Sequence, residues 1–107
     1  GYLFYSVGGK VYEYDPGIQK SFLMVDKGTS QISYLNFQTF YNRLVPATAI
    51  YKTWANYLTV GSYDPAGTTG KNGTMELYTV PQVNGQIVRV NSWTGFGKIV
   101  SVSYRER

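Results

Sequence analysis

Residues 2–15, YLFYSVGGKVYEYD, decide the fold. Two strand-like runs, 2–7 and 10–15, flank Gly8-Gly9, a glycine pair that can supply the positive φ a two-residue hairpin turn needs. Aromatic and β-branched residues fill both runs, and such side chains suit a pleated, half-buried surface. Asp15-Pro16-Gly17 then reads as a turn, because proline sets the first central φ and glycine accepts the second. Runs 21–25 and 31–37 follow as two more strands, separated by the polar Lys27-Gly28-Thr29-Ser30. Four strands therefore occupy the first third of the chain.

The same order recurs in the second half. Tyr2-Leu3 lies on Tyr57-Leu58, and 9–14 (GKVYEY) lies on 73–78 (GTMELY). Residues 22–26 lie on 87–91, and 28–37 lie on 95–104, with Ile32 on Ile99 and Leu35 on Val102. The offset between copies is 55 at Tyr2 and Tyr57, 64 at Gly9 and Gly73, 65 at Phe22 and Ile87, and 67 at Gly28 and Gly95. It grows only at turns, most of all in 64–72, DPAGTTGKN, whose composition is that of a mobile hairpin loop.

These observations predict one all-β domain over 1–107. A first sheet repeat spans 2–37, a connecting segment 38–56 and a second sheet repeat 57–105, each repeat a four-stranded antiparallel, blade-like sheet. A propeller needs at least four such blades. Two copies imply part of a propeller, a two-sheet sandwich, or a protomer that completes a ring by association. Leu23, Val25, Leu35, Val88, Val90 and Val102 take matching alternate positions and are expected to share the core face. The connecting segment, QTFYNRLVPATAIYKTWAN, carries Phe40, Tyr41, Leu44, Ile50, Tyr51 and Trp54, too apolar for a solvated linker. Part of it should lie on a sheet, with a short helical turn before Pro46.

Composition narrows the chemistry. The 107 residues include no histidine and no cysteine, so the usual neutral-pH base, nucleophile pairs and zinc ligands are missing. No metal site and no cofactor are expected. The ten Lys and Arg, against six Asp and Glu, are scattered along the chain rather than gathered into the stripe that phosphate binding favours, so no nucleic-acid partner is expected. No apolar run approaches the roughly 20 residues of a membrane helix, and no signal peptide opens the chain, whose natural start is expected upstream of Gly1.

Glycoside hydrolysis needs two carboxyl groups about one sugar bond. Glu13 and Asp15 share a strand face, but Glu76 aligns with Tyr12, so the repeat does not reproduce an acid pair. Asp64 with Asn72 could flank a calcium loop, yet one acid without regular spacing is a poor ligand set. No catalytic residue is assigned. For ligand contact the candidates are Trp93, read as lying in an extended turn, with Phe96 beside it, and Trp54 in the connecting segment.

The segments YLFYSVGGKVYEYD and GKIVSVSYRER (97–107) together resemble the C-terminal, blade-like part of the PKD-like lipoproteins of Bacteroidetes. That resemblance implies an outward-facing outer-membrane lipoprotein associated with glycan uptake, with its lipid-bearing cysteine in a region upstream and further domains in a longer parent chain. A glycan or another envelope protein is then the expected partner, and a non-catalytic binding or structural module the expected role. A carboxylate-dependent glycan hydrolase fragment is the alternative.

Overall fold

The computed structural model describes residues 2–41, 54–81, 86–103 and 105. They are all-β, with seven strands: β1 (Leu3–Val7), β2 (Lys10–Asp15), β3 (Lys20–Asp26), β4 (Gln31–Tyr41), β5 (Trp54–Tyr63), β6 (Gly73–Thr79) and β7 (Val88–Phe96). Two antiparallel meanders result, a three-stranded sheet β1-β2-β3 and a four-stranded sheet β4-β5-β6-β7.

The first hairpin forms where the glycine pair places it, with Val7 opposite Lys10 and Gly8 at φ 59°. Asp15 closes the next turn by accepting from Gly17 N at 2.9 Å. The expectation of two four-stranded sheets is corrected at β4. The turn at 27–30 does not fold β4 back onto β3 but carries it across to the second sheet, where it pairs with β5 from Gln31 opposite Tyr63 to Tyr41 opposite Trp54. Lys27 N donates to Gly9 O and Ile32 N to Gly8 O, both at 2.8 Å, so the crossing turn is tied to the β1–β2 hairpin end. Residues 97–103, expected to hold an eighth strand, belong to no sheet in the structure. The connecting segment shrinks too, since 38–41 extend β4 and 54–56 begin β5. Its remainder, with the helical turn before Pro46, lies outside the described residues.

The core lies between the sheets. Val11 and Val25 of the first sheet meet Leu58, Val60 and Tyr78 of the second, with Phe4, Met24, Ile32 and Leu35 at the margin. Phe4 stacks on Phe37 across the gap, ring centroids 5.7 Å apart. Each fully buried aliphatic side chain contributes about 1.5–3 kcal/mol by leaving water. Of the six expected core residues, Val25 is buried and Leu35 and Val102 partly so, but Leu23, Val88 and Val90 are exposed.

The ladders explain that correction. The β1–β2 and β5–β6 registers coincide: Leu3 opposite Tyr14 matches Leu58 opposite Tyr78, and Tyr5 opposite Tyr12 matches Val60 opposite Glu76. The third strands fall out of step with the sequence alignment. Val25 pairs with Val11, and the residue pairing with Met75, the counterpart of Val11, is Trp93. Register shifts between Gly73 and Thr74 and between Leu77 and Tyr78 lengthen β7. An odd slip exchanges the two faces of a strand. Trp93, not Val90, therefore stands in the place of Val25.

Candidate functional site: the open sheet faces

Alternation sorts each sheet into two faces. On the second sheet, Leu58, Val60, Ser62, Glu76 and Tyr78 form the face that meets the first sheet, and all are buried. The opposite face carries Tyr57, Thr59, Gly61, Met75, Trp93 and Phe96. Residues 99–102 lie over part of it: Gly61 leaves the space that Ile99 fills, and the Tyr34 hydroxyl donates to Val102 O at 3.0 Å. A methyl group on Gly61 would come within 3.1 Å of Ile99 Cβ, tighter than ordinary packing.

On the first sheet, Phe4, Val11 and Val25 face the core, which leaves Leu3, Tyr5, Val7, Tyr12, Tyr14 and Leu23 on the outer face. Tyr5 and Tyr12 stack there with centroids 5.2 Å apart, and the Tyr5 hydroxyl donates to Ser21 Oγ at 2.7 Å. Leu3 is 61% and Val7 64% exposed, whereas Leu58, the counterpart of Leu3, is 0% exposed. An apolar face that is core in one sheet thus lies open in the other.

The polar centre of the molecule is Glu76, 1% exposed on β6. Its Oε1 lies 2.8 Å from Lys27 Nζ, reaching in from the crossing turn; its Oε2 takes Arg89 Nη1 from β7 at 3.1 Å. Burial alone would raise this carboxyl, but the two cations outweigh it and hold the group below the usual carboxylate range. Tyr78 is pushed up to about 12 by burial and by the neighbouring Glu76 charge. Sequence reading passed over Glu76 because its partners come from a turn and from another strand, and no spacing announces them.

The remaining acids are spread out. Glu13 and Asp15 share a face of β2, as expected, and burial followed by the Asp15 charge raises the Glu13 carboxyl. Asp64 Oδ1 accepts from Ala66 N at 2.9 Å, closing its own loop. Among the described residues no three His, Cys, Asp or Glu side chains gather in a way that could hold a metal ion, and no helix is long and apolar enough to cross a membrane.

Trp93 lies on β7 rather than in a turn, which corrects the reading from sequence, and is 39% exposed. Phe96 ends the same strand, exposed and on the same sheet face. Trp54 opens β5 opposite Tyr41, at the far end of the second sheet from the Gly73–Phe96 pair, and its side chain is outside the described residues. The structure places Trp93 and Phe96 on one face of one strand and sets Trp54 at the other end of the sheet. Comparison with known proteins found no matching family model, no matching curated protein and no matching solved structure.

Proposed function

We propose that this chain is a non-catalytic binding or structural module of the cell envelope, which works by packing its open sheet faces against another protein. One observation carries the reading: the outer face of β1-β2-β3 exposes Leu3, Val7 and Leu23 around Tyr5, and the counterparts of Leu3 and Tyr5 in the second sheet, Leu58 and Val60, are fully buried in the core. Contiguous apolar surface of this kind marks an interaction site. The buried carboxylate does not compete for the role, since Glu76 is neutralised by two cations and is shut away from any substrate. The resemblance to the PKD-like lipoproteins supports an outward-facing outer-membrane setting and a link to glycan uptake.

The double variant Leu3→Ser/Val7→Ser tests this reading. Both side chains are more than half exposed, so the melt should stay within about 1 kcal/mol of the unaltered chain, while binding of a dye that reports open apolar surface falls. A variant that unfolds would place these residues in the chain's own core and end the proposal.

A glycan as direct ligand is favoured by the exposure of Trp93 with Phe96 on one face, the arrangement that stacks on sugar rings. Glycan-array binding lost in Trp93→Ala would establish it. The hydrolase alternative has the raised Glu13 carboxyl beside Asp15 on its side. Turnover on a glycan panel that disappears in Glu13→Gln would reverse the non-catalytic conclusion.

A further inference from the structure

The two sheets repeat one unit, and among the described residues the margin of the first at β1 and the outer face of the second are complementary. Gly9 and Gly73 hold the same place in their copies, and each presses its Cα against a carbonyl of the turn that leaves its sheet, Ser30 O for Gly9 and Gly97 O for Gly73. Those two carbonyls are themselves counterparts at the offset of 67, as are Gly28 and Gly95, both at positive φ, 63° and 87°. The turn at 27–30 delivers β4 to the next sheet. Its counterpart, the bulged end of β7 with Gly97, directs residues 99–103 toward the position of a first strand in a following sheet.

The packing agrees. β4 lies over the core-facing side of the first sheet, through Phe37 on Phe4 and Ile32 beside Gly8. Residues 99–102 lie in the same way over the outer side of the second, through Ile99 on Gly61. Ile99 and Val102 thus repeat Ile32 and Leu35.

Among the described residues β1 stands at the margin of its sheet, whereas its counterpart β5 is paired on both sides, with β4 and β6. The missing neighbour of β1 is a strand of the β4 kind. The uncovered face of its sheet, with Leu3, Tyr5, Tyr12 and Tyr14, corresponds to Leu58, Val60, Glu76 and Tyr78, which the first sheet buries through Phe4, Val11 and Val25. The counterparts of those three covering residues are Thr59, Met75 and Trp93, on the outer face of the second sheet.

Resting on the reading of the open faces as binding surfaces, we infer that the partner is a second copy of this chain, joined head to tail. Residues 99–103 of one copy pair along β1 of the next, and the face carrying Met75 and Trp93 covers Leu3, Tyr5, Tyr12 and Tyr14. The β4–β5 ladder, in which Ile32 faces Ser62, Tyr34 faces Gly61 and Leu35 faces Val60, sets the register. Translated by the offsets, Ile99 faces Val7, Ser101 faces Ser6 and Val102 faces Tyr5. The contact is heterologous, so it either closes into a ring or runs on as a filament. With two sheets per copy, two to four copies give the four to eight sheets of closed propellers.

The absence of cysteine makes the register directly testable. The Tyr5→Cys and Val102→Cys proteins are mixed and oxidised in air, beside a mixture of Tyr5→Cys with Ser101→Cys, whose side chains would leave opposite faces. Directly opposite strand residues sit at Cα separations of about 4.5–5.5 Å, within disulfide reach. The expected result is at least tenfold more mixed disulfide from the first pair, with the uncrosslinked chain sedimenting at two to four times its monomer mass if the contact closes into a ring and at higher mass if it runs on as a filament. Equal yields from the two pairs, or a monomer at about 100 μM, would overturn the head-to-tail assembly. In that event the Leu3→Ser/Val7→Ser variant separates the two conclusions. A monomer that keeps its fold and loses dye binding when polar residues replace the open face refutes only the choice of partner, and one that unfolds refutes the open face as well.

Discussion

Replacing Lys27 by methionine should expose how much of the molecule depends on a single buried carboxylate. Lys27 sits in the turn that hands the chain from one sheet to the next, and its ammonium is 2.8 Å from Glu76 Oε1. Methionine keeps much of the stem but removes the charge, leaving Oε1 buried without a partner. Removing one member of a buried ion pair costs about 3–5 kcal/mol. Here Arg89 still holds Oε2, but its side chain is 58% exposed against 23% for Lys27, so water weakens its share. The expected cost at pH 7 is therefore about 3 kcal/mol. Pairing holds the folded carboxyl below its ordinary value of 4.5, so its contribution is complete above that value and disappears as pH falls through the lowered one. The gap between Lys27→Met and the unaltered chain should accordingly close on acidification. Urea melts followed by tryptophan fluorescence at pH 7 and at pH 3 measure both quantities. A cost under about 1 kcal/mol at pH 7, or one that grows on acidification, would refute the electrostatic account. The double variant Lys27→Met/Glu76→Leu should recover most of the loss, because an apolar pair leaves no buried charge unanswered.

Gly73→Ala should destabilise by about 3 kcal/mol or more in a thermal melt, since its new methyl meets the Gly97 carbonyl, whereas Gly95→Ala, strained only by its φ of 87° in open space, should cost about 1 kcal/mol. With Tyr78 raised to about 12, its neutral form supports the fold below pH 10, and that support is lost as pH rises toward 12; about 1 kcal/mol should be gone by pH 11 and spared in Tyr78→Phe. Shortening 65–71 to Gly-Gly should change stability by no more than about 0.5 kcal/mol, because the hydrogen bonds from Ala66 N, Gly67 N and Lys71 N all end inside the loop. A larger fall in the melting midpoint would mean that the loop packs on the sheets.

Strand order and hairpins were legible because they rest on local rules. Gly8-Gly9 calls for positive φ, and the alternation around it satisfies a half-buried sheet. Sheet membership was not legible in the same way. Whether β4 returns to β3 or crosses to β5 turns on a few contacts of the 27–30 turn, such as Lys27 N to Gly9 O and Ile32 N to Gly8 O, between groups every residue carries. A repeat found in sequence has a period but no phase. The alignment placed four strands of the first copy and three of the second correctly in order, expected an eighth at 97–104, whose described residues belong to no sheet, and assigned β4 to the sheet it leaves rather than the one it enters.

The same gap between period and phase decides how Trp93 should be understood. Aligned by residue type, Val88 and Val90 match Leu23 and Val25, and Trp93 is left over in a turn. Aligned by ladder, Trp93 matches Val25, because bulges in β7 absorb extra residues that a gap placed at a turn cannot represent. Val25 is buried and Trp93 is 39% exposed. Since their backbones and partners, Val11 and Met75, are equivalent, the difference lies in what stands over them: a second sheet in one case and, among the described residues, the segment 97–103 in the other. Under the head-to-tail assembly a tryptophan at such a place needs no special role in a turn to explain it, because it becomes a core residue of the sheet pair formed with the next copy. That also accounts for its companions, since Met75 and Phe96 share its face, and it makes the oligomeric state rather than a glycan screen the first measurement to make. If the chain assembles head to tail, Trp93 fluorescence should shift to shorter wavelength as concentration rises through the association range, and Val102→Pro, which removes the amide opposite Tyr5, should abolish the shift without unfolding the chain.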